Sequence, residues 1–202
     1  MEPAAVTCTA FDGERRVATG TLAEVAAAVK ARHKTGGILV FDDTTGRVID
    51  LDLRGTLEEV RARHAAADAP RPPDASPHRR GPGRPRLGVV SREVTLLPRH
   101  WAWLGAQRGG ASATLRRLVD QARKAHARSD AVRAAQDAAY RFMSAMAGDR
   151  PRFEEAIRAL FAGDRGAFDE HVGAWPRDLR EHARRLAADA FGHGEDGEGA
   201  AR

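Results

Sequence analysis

The sequence lacks several features that would point to particular classes of protein. Cys8 is the only cysteine among 202 residues, which excludes a disulfide framework, a cysteine-rich zinc site and a paired redox motif. No apolar run approaches the roughly 18 residues that a membrane helix needs, and the N-terminus lacks a basic patch followed by an apolar run. Aromatic residues make up only 5% of the chain, and alanine supplies much of the apolar content. We therefore expect a cytoplasmic protein with no membrane segment, rich in helices.

Recognisable catalytic motifs are also missing. The sequence contains no Walker loop, Rossmann glycine pattern, nucleophile elbow or HExxH motif. The chain has eight histidines, but none stands beside a partner motif, and His33, His64 and His126 fall at predicted helix ends. We therefore expect neither an enzyme nor a cofactor.

Positive charge is concentrated in the middle of the chain. Residues 1–69 contain 9 Lys/Arg and 11 Asp/Glu, residues 70–128 contain 13 and 3, and residues 129–202 contain 11 and 14. A basic block between two mildly acidic ones is the pattern expected of a protein that binds a polyanion. The alternative is a solvated basic linker.

The first 68 residues predict a small α+β domain with the element order ββαββα. Thr7–Phe11 and residues 15–19 form a predicted hairpin around Asp12-Gly13. A capping-box spacing, Thr21 with Glu24, begins a helix that ends near His33. Residues 38–41 and 48–53 predict a second hairpin, and a second capping-box spacing, Thr56 with Glu59, begins a helix that extends to about Ala67.

Four aspartates lie in the second predicted hairpin: Asp42, Asp43, Asp50 and Asp52. Carboxylate oxygens are the ligands that Mg²⁺ and Ca²⁺ prefer, but this spacing fits no calcium loop. Hairpin turns commonly contain Asp and Gly, and alternating Asp50 and Asp52 would form the solvated face of a strand. We therefore expect no metal site here.

Composition divides the remainder of the chain into four parts. Residues 69–88 are rich in proline and arginine and predict a flexible linker. Residues 89–128 form a basic module, residues 129–192 predict a helical domain, and residues 193–202 predict a disordered tail. Helices are expected over 131–147, 152–162, 165–175 and 176–191. Their expected core comprises Phe142, Met143, Met146, Phe153, Ile157, Leu160, Phe161, Phe168, Val172, Trp175, Leu179 and Leu186.

The linker ends in RRGPGRPR over residues 79–86, with a Gly-Arg-Pro core at 83–85. This segment resembles an AT-hook, an extended peptide that lies in the minor groove of A·T-rich DNA. The resemblance implies that Arg84 and Arg86 enter a groove of enhanced negative potential, flanked by Arg79 and Arg80. Matches of this length also arise by chance in linkers rich in Arg and Pro.

Residues 91–126 predict a strand, a helix, a glycine-containing turn and a second helix that begins at a Ser112 N-cap. In this second helix, Ser112, Leu115, Arg116 and Leu118 resemble the pattern of the ribbon-helix-helix family of bacterial repressors and antitoxins. The resemblance implies a homodimer whose paired strands lie in the major groove of DNA. It also implies a phosphate held by backbone N–H groups at residues 110–112.

One departure from that family concerns the strand itself. Alternate strand residues of the family face the bases and are usually polar or basic, whereas Val94 and Leu96 occupy one face here. Only Thr95 and Arg92 fit base readout, and Glu93 would be repelled by phosphates. An alternative is a helical hairpin with a basic face that docks on the C-terminal helices.

Taken end to end, the chain also resembles a bacterial family of similar length that is catalogued as a domain of unknown function. The shared stretches are GRPRLGVV at residues 83–90 and REVTLLPRHW at 92–101. This resemblance implies kinship and no particular activity.

These observations together predict a DNA-binding protein, either a dimeric transcriptional regulator or a nucleoid-associated protein. The competing hypothesis is a protein interaction or assembly module that uses its basic surface to bind acidic partners. No small-molecule effector can be inferred. The candidate DNA-binding residues are Arg79, Arg80, Arg84, Arg86, Arg92, Thr95, Arg99, Gly110, Ser112, Arg116, Arg117 and Arg123.

Overall fold

The structure is a computed structural model, and it describes residues 7–32, 37–68 and 92–191. Contacts within the chain define two units. The first, called the body here, comprises residues 1–71 and 129–202. The second, called the middle unit, comprises residues 72–128. The predicted linker at 69–88 and the predicted tail at 193–202 lie outside the described residues.

A three-stranded antiparallel sheet forms the N-terminal part of the body. Its strands are β1 (Thr7–Asp12), β2 (Arg15–Thr21) and β3 (Ile38–Asp42), in the spatial order β2-β1-β3. The hairpin of β1 and β2 turns at Gly13, whose φ of 56° is one that glycine adopts without strain. The first predicted hairpin is therefore confirmed.

Two helices follow the predicted capping boxes. In α1 (Leu22–Lys30), the Thr21 hydroxyl accepts from the Glu24 N–H while the Glu24 carboxylate accepts from the Thr21 N–H. Thr56 and Glu59 make the same reciprocal bonds at the start of α2 (Leu57–Asp68). Each box satisfies backbone donors that the first helical turn leaves without partners, so both predicted helix starts are confirmed.

The second predicted hairpin is wrong beyond its first residues. Phe41 forms an isolated bridge with Val48, and residues 49–56 form no strand. Local contacts hold this segment instead, since the Asp52 carboxylate accepts from the backbone N–H and side chain of Arg54. The Asp52 carbonyl accepts from Arg63 of α2. The element order is consequently ββαβα, with one strand fewer than predicted.

The rest of the described chain is mostly helical. Its helices are α3 (Pro98–Gly105), α4 (Gly110–Ala147), α5 (Phe153–Ala162), α6 (Arg165–His171) and α7 (Arg177–Leu186), with 3-10 turns at Val172–Ala174 and Ala188–Phe191. The prediction of two helices, one ending near His126 and one beginning at Ala131, is wrong, because α4 is a single helix of 38 residues. No glycine or proline interrupts residues 111–147, so nothing in the backbone ends the helix there.

One hydrophobic core joins the N-terminal sheet to the C-terminal helices. Phe11 of β1 and Phe41 of β3 are fully buried with Phe142 of α4, and the three rings lie within 6.1 Å of one another, centroid to centroid. The segments that the sequence separates as domains 1–68 and 129–192 thus share a core. Of the expected core residues, Phe161 is the exception, because it lies 49% exposed against Tyr140.

Candidate nucleic-acid interface

The described part of the middle unit, residues 92–128, presents nearly all of its side chains to solvent. It contains an extended segment at 92–97, helix α3 and the first half of α4. Only Leu104 and Thr114 are buried there. The predicted site residues that fall in this range are therefore accessible to a large ligand.

Predicted site residues are distributed over three settings. Arg79, Arg80, Arg84 and Arg86 lie outside the described residues. Arg92 and Thr95 are exposed in the segment at 92–97, and Arg99 is exposed in α3. The remaining members, Gly110, Ser112, Arg116, Arg117 and Arg123, all belong to α4.

Two elements on which the ribbon-helix-helix resemblance depends differ from the prediction. Residues 92–97 form no strand. Ser112 does not cap the second helix, because α4 already begins at Gly110. Gly109 and Gly110 both have positive φ angles. These two conformations favour glycine, and they start the helix earlier than the serine would.

The predicted phosphate cradle at the start of α4 loses one of its three backbone donors. The Gly110 N–H donates to the Gln107 carbonyl at 3.0 Å. This donor is already used within the protein, so it is not available for a phosphate. This bond leaves the prediction for the N–H groups of residues 111 and 112 unchanged.

Five cations of α4 share one face. Because successive helical residues are rotated by about 100°, they fall within an arc of about 140° and extend over about 18 Å along the axis. Asp120 is the only carboxylate within this arc. The set, called the basic face here, comprises Arg116, Arg117, Arg123, Lys124 and Arg128, all exposed.

The predicted site omitted three of the exposed cations. Lys124 and Arg128 lie on the basic face, and Arg108 precedes the helix. Helical periodicity extended beyond Arg123 would have found the first two.

Cations of the middle unit differ from those of the body in their partners. In the body, 13 of the 18 described Lys and Arg residues form ion pairs with carboxylates. Among residues 93–128, by contrast, no cation forms an ion pair within the described structure. The basic face therefore carries five cations against the single carboxylate of Asp120.

The body contains a second polar arrangement that the sequence did not predict. Asp43, which follows β3, is almost fully buried, and its Oδ2 accepts from the Thr9 hydroxyl at 3.1 Å and from Arg185 at 2.9 Å. Arg185 also donates to Thr9 Oγ1 and to His182 Nδ1, both at 2.9 Å. We call these four residues the buried polar cluster.

Burial sets the charge states within this cluster. Together with smaller effects of the nearby guanidinium groups of Arg185 and Arg16, burial lowers the pKa of His182 to about 3. His182 is therefore neutral near pH 7, with its proton on Nε2, because Nδ1 accepts from Arg185. Nε2 faces Asp43 Oδ1 at 3.7 Å, too long for a hydrogen bond. Burial raises the pKa of Asp43, against the lowering effect of Thr9 and Arg185.

Metal binding finds no support in these groups. Within residues 7–32, 37–68 and 92–191, no three His, Cys, Asp or Glu side chains converge as metal ligands would. Asp52 of the four hairpin aspartates is instead paired with Arg54 and Arg63. The hydrogen bonds from Arg54 hold the pKa of the Asp52 carboxyl well below its usual range.

The fold defines a mixed α+β protein in which a small antiparallel sheet precedes a mostly helical chain. Residues 7–187 match a family model described as an uncharacterized protein conserved in bacteria (DUF2239), and the chain belongs to that family. A search of curated proteins found no match, and a search of solved structures found none either. Among the described helices, none is both long and apolar enough to cross a membrane.

Proposed function

We propose that the middle unit binds duplex DNA through its phosphate backbone. The observation that supports this proposal is the basic face of α4. Its five cations are exposed on one side of the helix, and none of them forms an ion pair with a described carboxylate. Phosphates would supply the missing negative charge, and the counterions that they release would drive binding. Such binding suits a nucleoid-associated protein or a transcriptional regulator.

The proposed contact is chiefly electrostatic. From the ribbon-helix-helix prediction we keep the second helix, with Arg116, Arg117 and Arg123 as DNA contacts. We no longer include the paired strands. Arg92, Arg99 and Arg108 are exposed in the same unit and add to its positive charge. Phosphate contacts position a protein on DNA without reading its sequence, so we expect little dependence on base sequence from this face.

A salt titration with matched variants tests this proposal. If about six phosphates are contacted, log Kd should depend on log salt with a slope of magnitude about 5. Replacing Arg116, Arg117 and Arg123 with glutamine should reduce that magnitude by about 3. The control replaces three exposed arginines of the body, Arg158, Arg165 and Arg177, with glutamine and has the same net charge. Equal weakening by both triple variants would show a bulk charge effect and refute the proposed face.

The AT-hook-like segment adds a separate proposal about base composition. Arg84 and Arg86 would insert into the narrow minor groove of A·T-rich DNA, as the Gly-Arg-Pro pattern implies. Mobility shifts with A·T-rich and G·C-rich duplexes should show a preference for the former in the wild type. Arg84→Ala/Arg86→Ala should abolish the preference, and equal binding in all four combinations would exclude this mode.

A protein partner is the second candidate, and the exposed tryptophans favour it. Trp101 is 44% and Trp103 is 51% exposed in α3. Aromatic residues are enriched in protein interfaces, and arginine is enriched with them. Absence of binding to duplex DNA at low salt would favour this function over the first.

A further inference from the structure

The described part of the middle unit exposes several large apolar side chains. Its described residues bury only Leu104 and Thr114, while Trp101, Leu118 and Val119 are exposed. A segment that buries so little gains little hydrophobic stabilisation by itself. Units of this kind are commonly completed by another chain, and their stability then depends on protein concentration.

Residues 115–125 of α4 carry a second stripe, opposite the basic face. Leu115, Leu118, Ala122 and Ala125 recur at intervals of three, four and three residues, which is the spacing of the seam of a coiled coil. Ala122 and Ala125 are exposed, Leu118 is 38% exposed, and Leu115 is half-buried. We call these four residues the apolar stripe.

Charge is segregated from this stripe. Every charged residue between 115 and 125 occupies one of the three heptad positions that face away from the seam. The two positions that flank the seam in this stretch carry Val119 and Gln121, which are uncharged. The outward residues are Arg116, Arg117, Asp120, Arg123 and Lys124. Two such helices would therefore approach along the stripe without bringing their cations together.

We propose that the apolar stripe binds the same stripe of a second copy of this chain, with the two helices antiparallel. Antiparallel pairing places Leu115 opposite Ala125 and Leu118 opposite Ala122 of the second copy, twice by symmetry. Large residues then face small ones, and the same patch serves both partners, as a twofold interface requires. Parallel pairing would place leucine on leucine and leave a gap between alanines. The pairing leaves Arg116, Arg117, Arg123 and Lys124 of both basic faces outward, and it does not depend on DNA binding.

Sedimentation equilibrium of the full chain tests this interface. The wild type should approach twice the monomer mass as concentration rises. Ala125→Glu should weaken self-association at least tenfold, because it places a carboxylate in the seam. Ala127→Glu makes the same change at an exposed outward position of the same helix and should leave self-association unchanged. Circular dichroism should show equal helix content in both variants.

A size swap tests the antiparallel register. Ala122→Leu and Leu118→Ala should each weaken self-association, and the two changes together should restore it. Strengthening by Ala122→Leu alone would overturn the antiparallel arrangement, since that result belongs to parallel pairing. A wild type that stays monomeric at every concentration, or equal weakening by Ala127→Glu, would overturn the interface altogether. A variant that loses self-association but still binds DNA would show that the two proposals are independent. A variant that loses DNA binding but still self-associates would show the same.

Discussion

At the scale of single residues, the buried polar cluster links the stability of the body to pH. His182 is fully buried between Phe11 and Phe142, with ring centroids 5.1 and 4.4 Å away. Burial of this ring and the hydrogen bond from Arg185 both favour the neutral imidazole. Protonation of His182 in the folded protein therefore costs free energy, because it places a charge in the buried core. Otherwise the ring is protonated only when the protein unfolds.

We predict that acidification destabilises the body through His182. The pKa of His182 is about 3 in the folded protein against 6.5 for an unperturbed histidine, so the unfolded state binds the proton first. The stability is fully present above about pH 6.5 and is lost as pH falls toward 3, by about 2 kcal/mol between pH 7 and pH 5. Asp43 acts oppositely, since its raised pKa means that stability is lost as pH rises through the folded value.

Chemical denaturation of the wild type and His182→Gln at pH 7 and pH 5 measures this effect. The variant should lose most of the pH dependence, although it is less stable at pH 7. His100→Gln, at an exposed position of α3, should retain it. Identical pH dependence in the wild type and His182→Gln would contradict the prediction.

The sequence could not reveal the buried polar cluster. Asp43 has the local signature of a turn residue, and that signature is correct, because Asp42 and Gly46 do close the turn. Its burial depends on Arg185 and His182 of α7, more than 130 residues away. The basic face was easier to predict from the sequence, because its residues are close in sequence and share one helix.

At the scale of elements, local signals predicted helix starts well and strands poorly. Both capping boxes involve residues three positions apart, so the sequence contains the whole interaction. A strand requires a partner strand, and although the Ile49 N–H donates to Val40 of β3, Asp52 bonds instead to Arg54 and to Arg63 of α2. Packing between elements likewise involves distant segments, as the turn after β3 shows. There Arg141 of α4 donates to the Thr45 carbonyl at 2.9 Å.

We predict that Gly46→Ala disrupts the packing of this turn on α4. A Cβ at Gly46 would overlap the backbone carbonyl of Ala138, which cannot move without distorting the helix. Gly13 also has positive φ, but a Cβ there would meet nothing within 4 Å. Gly13→Ala should cost about 1 kcal/mol of unfolding free energy from backbone strain alone, and Gly46→Ala at least about 3 kcal/mol. Equal costs in denaturant titrations would show that the turn does not pack closely on α4.

At the scale of the whole molecule, the shared core leads us to predict that the sheet and the C-terminal helices unfold cooperatively. The sheet contains no tryptophan, whereas Trp175 is buried in the core with the helices. In a background with Trp101→Phe and Trp103→Phe, fluorescence therefore reports unfolding around Trp175. Because Phe41 of the sheet lies in the same core, Phe41→Ala should lower the stability seen by Trp175 by about 3 to 5 kcal/mol.

Leu39→Ala on the same strand is the control for this prediction. Leu39 is 37% exposed, so its truncation should cost much less. An unchanged Trp175 transition in Phe41→Ala would mean that the sheet and the helices unfold independently, as the separate domains expected from composition would.

The hydrogen bond between Thr9 and Arg185 joins residues 176 positions apart. During synthesis the ribosome releases the strands of the sheet long before it makes the last helix of the core. Phe11 and Phe41 consequently remain uncovered for most of translation, a condition that favours aggregation and the binding of chaperones. Contacts at such separations also slow refolding, so the time that a nascent chain takes to reach its native state depends on its last helix.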